Sequence, residues 1–216
     1  DILRKKYLFF CIAICMIMFI IIDFELYTFD KITSSNFKFL AMILLFFAAN
    51  HFKKIILSYT LFCDFLLLFT SLYCLGVAFF TMVHLLYLYQ MQPFLEYEKR
   101  QQECMILLLP FGILLSFLPL YSIVICYSMV FLFHIIIAYT QKCSNQYKIG
   151  LILFALCDCC TAISFLTGNI IVGRCIWILY LPSQILLTIT KQHYFSNVSP
   201  LLQIRHPHQF RLQKRR

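Results

Sequence analysis

The stretch KIGLILFALCDCCTAISFLT (148–167) decides how this chain is read. Beyond Lys148 at its edge it carries one charge, Asp158, in the middle of an apolar run. Its length matches the ~20 residues that a helix needs to cross a hydrocarbon core of about 30 Å. Asp158 follows a cysteine in Ala-Leu-Cys-Asp (155–158), and about ninety residues earlier Asp64 does the same in Leu-Phe-Cys-Asp (61–64). The other seven acids (Asp1, Asp23, Glu25, Asp30, Glu96, Glu98 and Glu103) fall in the polar breaks between apolar runs. An ionisable group at bilayer depth costs several kcal/mol, so such a residue marks a functional site by default. Two of them in similar local sequences make a sharper hypothesis than either alone.

Composition agrees with the membrane reading. Hydrophobic residues make up 62% of the 216 and charged residues only 12%, with a mean hydropathy of +0.85. A soluble domain is nearer half apolar and about a quarter charged. Arg4, Lys5 and Lys6 before the run 7–22 imitate the start of a signal peptide. Asp23-Phe24-Glu25 follows instead of a small-residue cleavage site, so the run is read as a helix. Most of the eleven cysteines sit inside apolar runs, where they act as small buried hydrophobes. Cys157-Asp-Cys-Cys160 has metal-like spacing but lacks the second cysteine pair and nearby histidine pair of a structural zinc site. No metal or other cofactor is expected.

The runs and their breaks predict eight transmembrane helices, roughly 7–22, 37–50, 55–70, 72–90, 104–119, 120–140, 148–167 and 170–190. Thr70-Ser71 and Gly76 punctuate 55–90 weakly, whereas Pro119 is a firm boundary because proline ends a helix at the preceding residue. Basic residues check the count, since cytoplasmic loops carry the Lys/Arg excess. With eight spans, 15 of the 18 Lys and Arg fall on one side, and only Lys31, Lys38 and Arg174 on the other. The expectation is therefore an all-α polytopic protein, an eight-helix domain over 1–190 with both termini cytoplasmic and a basic tail over 191–216. The tail is read first as a topology signal and second as a contact for anionic lipid headgroups. The net charge of +9 calls for no nucleic-acid partner.

In this topology the third and seventh helices run the same way and bring Asp64 and Asp158 to one depth near the bilayer midplane. His84 and Tyr87 on the fourth helix, His134 on the sixth, Tyr180 and Gln184 on the eighth, and Lys38 on the second are expected to share an interior cavity with them. Each has a plainer reading. A lone histidine more often satisfies an interhelical hydrogen bond, the tyrosines serve as packing or belt residues, Lys38 snorkels to the interface and Gln184 bridges helices. A buried carboxylate is hard to justify structurally twice.

Gly76-x3-Phe80-x3-His84-x2-Tyr87 resembles the G-x3-F-x3-H-x2-Y segment of the lysoplasmalogenase family, the YhhN-like membrane proteins. Cys63-Asp64 matches the family's small-residue-Asp segment with cysteine for the usual glycine. Gly150, Phe154 and Asp158 match its G-x3-F-x3-D, with Cys157 where serine is common, and Tyr180-x3-Gln184 matches its Y-x3-Q. Lys38 aligns with a lysine normally followed by proline, but Phe39 stands there, and His134 falls where methionine is usual. The resemblance covers roughly 36–190. It implies an eight-helix fold and hydrolysis of the vinyl ether bond of lysoplasmalogens to a fatty aldehyde and a glycerophospho-base. Asp64 and Asp158 would be the catalytic pair, with His84, Tyr87, Tyr180, Gln184, Lys38 and His134 around the lysophospholipid. It would place the protein in the endoplasmic reticulum of a eukaryote, or otherwise in a cytoplasmic membrane. The rival reading is a proton-coupled transporter or lipid carrier that uses the two aspartates as relay groups. A receptor or scaffold would leave the acids as helix-pairing devices.

Overall fold

The computed structural model describes residues 2–24, 31–91, 108–141 and 143–190. The loop around Glu96–Glu103, the start of the expected fifth span and the basic tail at 191–216 lie outside the described residues. Within them the chain is all-helical, with no strand: α1 (Ile2–Phe24), α2 (Lys31–Ala48), α3 (His51–Phe69), α4 (Tyr73–Gln90), α5 (described over 108–116), α6 (Leu120–Thr140), α7 (Asn145–Thr167) and α8 (Ile170–Ile189). Five of these, α1, α4, α6, α7 and α8, are long and apolar enough to cross a membrane. The apolar part of α2 is shorter.

Local chemistry sets the breaks. The Thr70 hydroxyl donates to the Leu66 carbonyl at 2.6 Å and accepts from the Leu72 amide at 3.1 Å, closing α3 and opening the turn to α4. Pro119, which lacks an N–H, stands at the N-cap of α6 where none is needed. Gly168 ends α7 in the left-handed region at φ 68°, a position where a side chain would be strained. Asn169 then caps α8, its side-chain oxygen accepting from the amides of Ile171 and Val172.

Four helices begin earlier than their apolar runs: α1 at Ile2, α2 at Lys31, α3 at His51 and α7 at Asn145. α2 starts at Lys31 rather than at 37, because its polar first turns are used in pairing. Ser34 donates to Asp23 at 2.5 Å, and Lys38 reaches the same carboxylate at 2.6 Å. Asp23, which the sequence places in a polar break, is thus in the last turn of α1. α7 likewise starts at Asn145, with Ser144 accepting from the Tyr147 amide.

Consecutive helices pack on each other, most extensively α7 on α8 and α1 on α2. A Cβ on Gly150 would sit 3.1 Å from Leu186 Cβ, so the missing side chain lets α7 and α8 close together. Gly76 does the same for α4 against Leu67 of α3. The packing then closes into a ring: α1 on α2, α2 on α3, α3 on α4, α4 on α6, α6 on α7, α7 on α8, and α8 back on α1. Phe19 meets Trp177 edge-on at the closing contact.

α4 is buried on nearly every side, whereas α6 turns one stripe inward. On α6 the buried residues are Ile123, Tyr127, Phe131, His134 and Ala138, spaced by three and four. Its opposite face exposes Ile125, Met129, Leu132, Phe133 and Ile136. An apolar exterior over a partly polar interior is the arrangement that suits a helical protein in lipid.

Candidate functional site

Asp64 lies thirteen residues past His51 in α3, and Asp158 thirteen past Asn145 in α7. At 1.5 Å per residue both are about 20 Å along helices that run the same way. Each carboxylate is held by a tyrosine. The Tyr180 hydroxyl on α8 donates to both oxygens of Asp64, at 2.8 and 3.1 Å. The Tyr127 hydroxyl on α6 donates to Asp158 Oδ2 at 2.5 Å. The two acids differ in surroundings: Asp64 is 2% exposed, whereas Asp158 is only partly covered.

Aromatic rings pack beside the acid–tyrosine pairs. The Phe154 ring lies 5.7 Å from Tyr180 and 5.2 Å from His84. Phe80 packs against both Phe154 and Tyr180. Phe80 and Phe154 therefore form an apolar wall against Tyr180, with Phe154 also reaching His84.

From Asp158 a chain of polar contacts leads along the bundle. Tyr127 is 3.5 Å from His84 Nε2, His84 Nδ1 is 3.0 Å from His134 Nδ1, and His134 Nε2 is 2.8 Å from the Tyr147 hydroxyl. Every link joins groups that both give and accept a proton. With Tyr127 donating to Asp158, neutral rings fix the rest: Tyr147 donates to His134, His134 to His84, and His84 to Tyr127. A proton passed from end to end reverses all four bonds. The 3.5 Å step is the weakest link, at the edge of hydrogen-bonding range.

A second polar stripe descends α8. Tyr180, Gln184 and Thr188 follow at four-residue spacing and are all buried. Neither the Gln184 amide atoms nor the Thr188 hydroxyl has a hydrogen-bond partner among the described residues, and the same holds for the Tyr87 hydroxyl. Leaving such a group unpaired costs about 1–3 kcal/mol, so the interior holds polar capacity that its own packing does not use. Pro182 sits within this helix and withholds one backbone donor beside the stripe.

The structure brings Asp64 together with Tyr180, and Asp158 into line with His84 and His134. Tyr87 stacks on His134 at 5.5 Å between centroids. Lys38 is elsewhere, in its ion pair with Asp23 at the junction of α1 and α2. Sequence reasoning missed Tyr127 and Tyr147. Tyr127 precedes His134 by seven residues on one face of α6, a spacing that could have signalled it; Tyr147 gave no signal. Among the described residues, no three His, Cys, Asp or Glu side chains converge as metal ligands. No family model matches the chain, and no curated protein or solved structure is significantly similar to it.

The His84–His134 contact makes a direct spectroscopic prediction. Because two Nδ1 atoms face each other, one ring must carry its proton on Nδ1 and the other on Nε2. Nitrogen NMR of histidine-labelled protein, assigned with single-histidine deletions, should find opposite tautomers joined through an N–H···N bond. Two Nε2–H rings would break the chain.

Proposed function

We propose that this protein is an intramembrane hydrolase that opens the vinyl ether bond of lysoplasmalogens. The observation that carries the reading is the pair of tyrosine-held carboxylates, matched in depth but unlike in surroundings, with the Phe80 and Phe154 rings packed against Tyr180. The resemblance to the lysoplasmalogenase pattern in Gly76–Tyr87, Gly150–Asp158 and Tyr180–Gln184 supports it.

The chemistry needs two acids with different duties. Protonation of the β-carbon uses the vinyl π electrons to form a C–H bond and leaves an oxocarbenium ion. Water adds to that cation and gives up a proton to a carboxylate. The hemiacetal then collapses: its hydroxyl gives up a proton as the carbonyl forms, the bond to the glycerol oxygen breaks, that oxygen takes a proton in exchange, and a fatty aldehyde leaves beside the glycerophospho-base. Glycosidases divide a related cation-like transition state between two carboxyl groups. We assign the donor role to Asp158, which the tyrosine–histidine chain can resupply, and the water-guiding, cation-facing role to Asp64. Phe80 and Phe154 provide apolar surface for the alkenyl chain, and Gln184 offers an unpaired amide for the glycerol.

All eight helices are taken to span the membrane with both termini cytoplasmic, as the split of basic residues suggests. The membrane would be the endoplasmic reticulum of a eukaryote or otherwise a cytoplasmic one. Cysteines placed at the exposed Asn36 and Gln146, in a background without reactive native thiols, should label from opposite sides. Labelling from one side would mean a helix that does not cross.

One observation favours a second reading. Four consecutive proton-exchanging contacts from Asp158 to Tyr147 would also suit a proton-coupled transporter. Purified protein separates the two: aldehyde release from a lysoplasmalogen supports the hydrolase, whereas counterflow in liposomes without product supports the carrier. For the hydrolase, Asp64→Asn and Asp158→Asn should each lower turnover by about 10²–10⁴-fold, the usual loss for one general acid or base. Expression and folding should be nearly unchanged, because Asn keeps the shape and can still accept from tyrosine. Ester-linked lysolipids of equal chain length should be poor substrates, since carbon protonation needs the electron-rich double bond. Near-wild-type turnover in both variants would remove the acid–base mechanism.

A further inference from the structure

The most isolated charge in the bundle is Lys53. It sits in the first turn of α3, 5% exposed, and its ammonium has no hydrogen-bond partner among the described residues. It lies over two aromatic faces, 5.0 Å from the centre of the Tyr87 ring and 5.5 Å from that of Tyr147. Ring faces replace only part of the hydration that a buried ammonium loses. Lys54, the next residue, is more exposed and lies over Phe46 instead, so only one member of this basic pair turns inward.

Every carboxylate among the described residues is engaged elsewhere: Asp23 with Lys38, Asp64 with Tyr180 and Asp158 with Tyr127. Among the described residues, Lys53 therefore has a buried positive charge without a protein anion beside it. The Tyr87 hydroxyl, also buried and without a hydrogen-bond partner, belongs to one of the rings beneath it. A buried cation and an uncommitted hydroxyl together make a receptor for a singly charged oxyanion.

We propose that Lys53 and the Tyr87 hydroxyl bind the phosphate group of the ligand. The placement rests on the hydrolase reading, and geometry ties it to the two aspartates. Lys53 is eleven residues before Asp64 on α3, which is about 16 Å along the axis. In a lysoplasmalogen seven bonds separate phosphorus from the vinyl β-carbon, roughly 9 Å when extended at ordinary bond lengths. Adding about 3–4 Å for an ion contact at one end and a hydrogen-bond-length approach at the other spans the same interval. An extended lysophospholipid with its phosphate at Lys53 thus brings its reacting carbon to the level of the carboxylates. Its headgroup would then face the bundle end that carries Lys53, Lys54 and Lys148.

Binding can be read without turnover. The full-length protein in maltoside is titrated with an alkyl-ether lysophospholipid, which has no vinyl group to hydrolyse, and thermal stabilisation or calorimetry gives the affinity. Parallel titrations use a monoalkylglycerol without phosphate, glycerophosphocholine and inorganic phosphate. Lys53→Met should weaken the lysophospholipid at least tenfold and leave the monoalkylglycerol unchanged. Lys53→Arg should retain most of the affinity, and Tyr87→Phe should lose part of it. Because Met removes an uncompensated buried charge, the ligand-free variant should be at least as stable as the wild type. Lysophospholipid binding far tighter than glycerophosphocholine or phosphate assigns the site to the lipid; equal affinities, all lost in Lys53→Met, assign it to the free ion. Unchanged lysophospholipid affinity in Lys53→Met overturns the proposal even if hydrolysis persists. Loss of hydrolysis in the aspartate variants with binding intact leaves it standing.

Discussion

Five helices apolar enough to cross a membrane leave a polar side chain little place except the bundle's interior, and that constraint organises this protein. Water is not at hand in the hydrocarbon to satisfy a carboxylate or an imidazole, so each such group must find a partner across the bundle. Asp64 on α3 finds Tyr180 on α8, and Asp158 on α7 finds Tyr127 on α6. Those two bonds tie α3 to α8, which are far apart in sequence, and α6 to its neighbour α7. The small residues Gly76 and Gly150 then allow the hairpins α3–α4 and α7–α8 to close tightly enough for the bonds to form.

The same constraint bears on the proposed function. A purely structural bundle would pair its polar groups and stop. Here some are paired into a continuous chain, from Asp158 to Tyr147, and others have no partner among the described residues, at Tyr87, Gln184, Thr188 and Lys53. Unused buried capacity is a standing cost to the fold. It is offset when a ligand supplies the missing partners, which is how a binding site differs from a core. On the proposed reading, Phe80 and Phe154 would add apolar surface for a lipid chain.

The sequence exposed some of this and hid the rest for physical reasons. An acid in an apolar run stands out, so Asp64 and Asp158 were visible, and His84, Tyr180 and Gln184 followed from their spacing on helices. Tyr127 and Tyr147 were not visible, because tyrosines are common here, 13 in all, and one facing lipid reads the same as one facing the core. Lys53 was hidden for a different reason: beside Lys54 at the start of a span it reads as a topology signal. The early start of α2 was missed because Ser34 and Lys38 look like loop chemistry until Asp23 is seen beside them. Fold class is a matter of patterning along the chain. Site membership depends on which face each helix turns inward, and a single span does not record that.

In the proposed reaction a carboxyl group in this interior delivers a proton to carbon. Turnover of a lysoplasmalogen in heavy water, with the aldehyde reduced as it forms to prevent exchange, reads that transfer. Each product molecule should carry one deuterium on the carbon next to the former carbonyl, and Asp158→Asn should abolish its formation. Aldehyde without that deuterium, or undiminished labelled product from the variant, would contradict it.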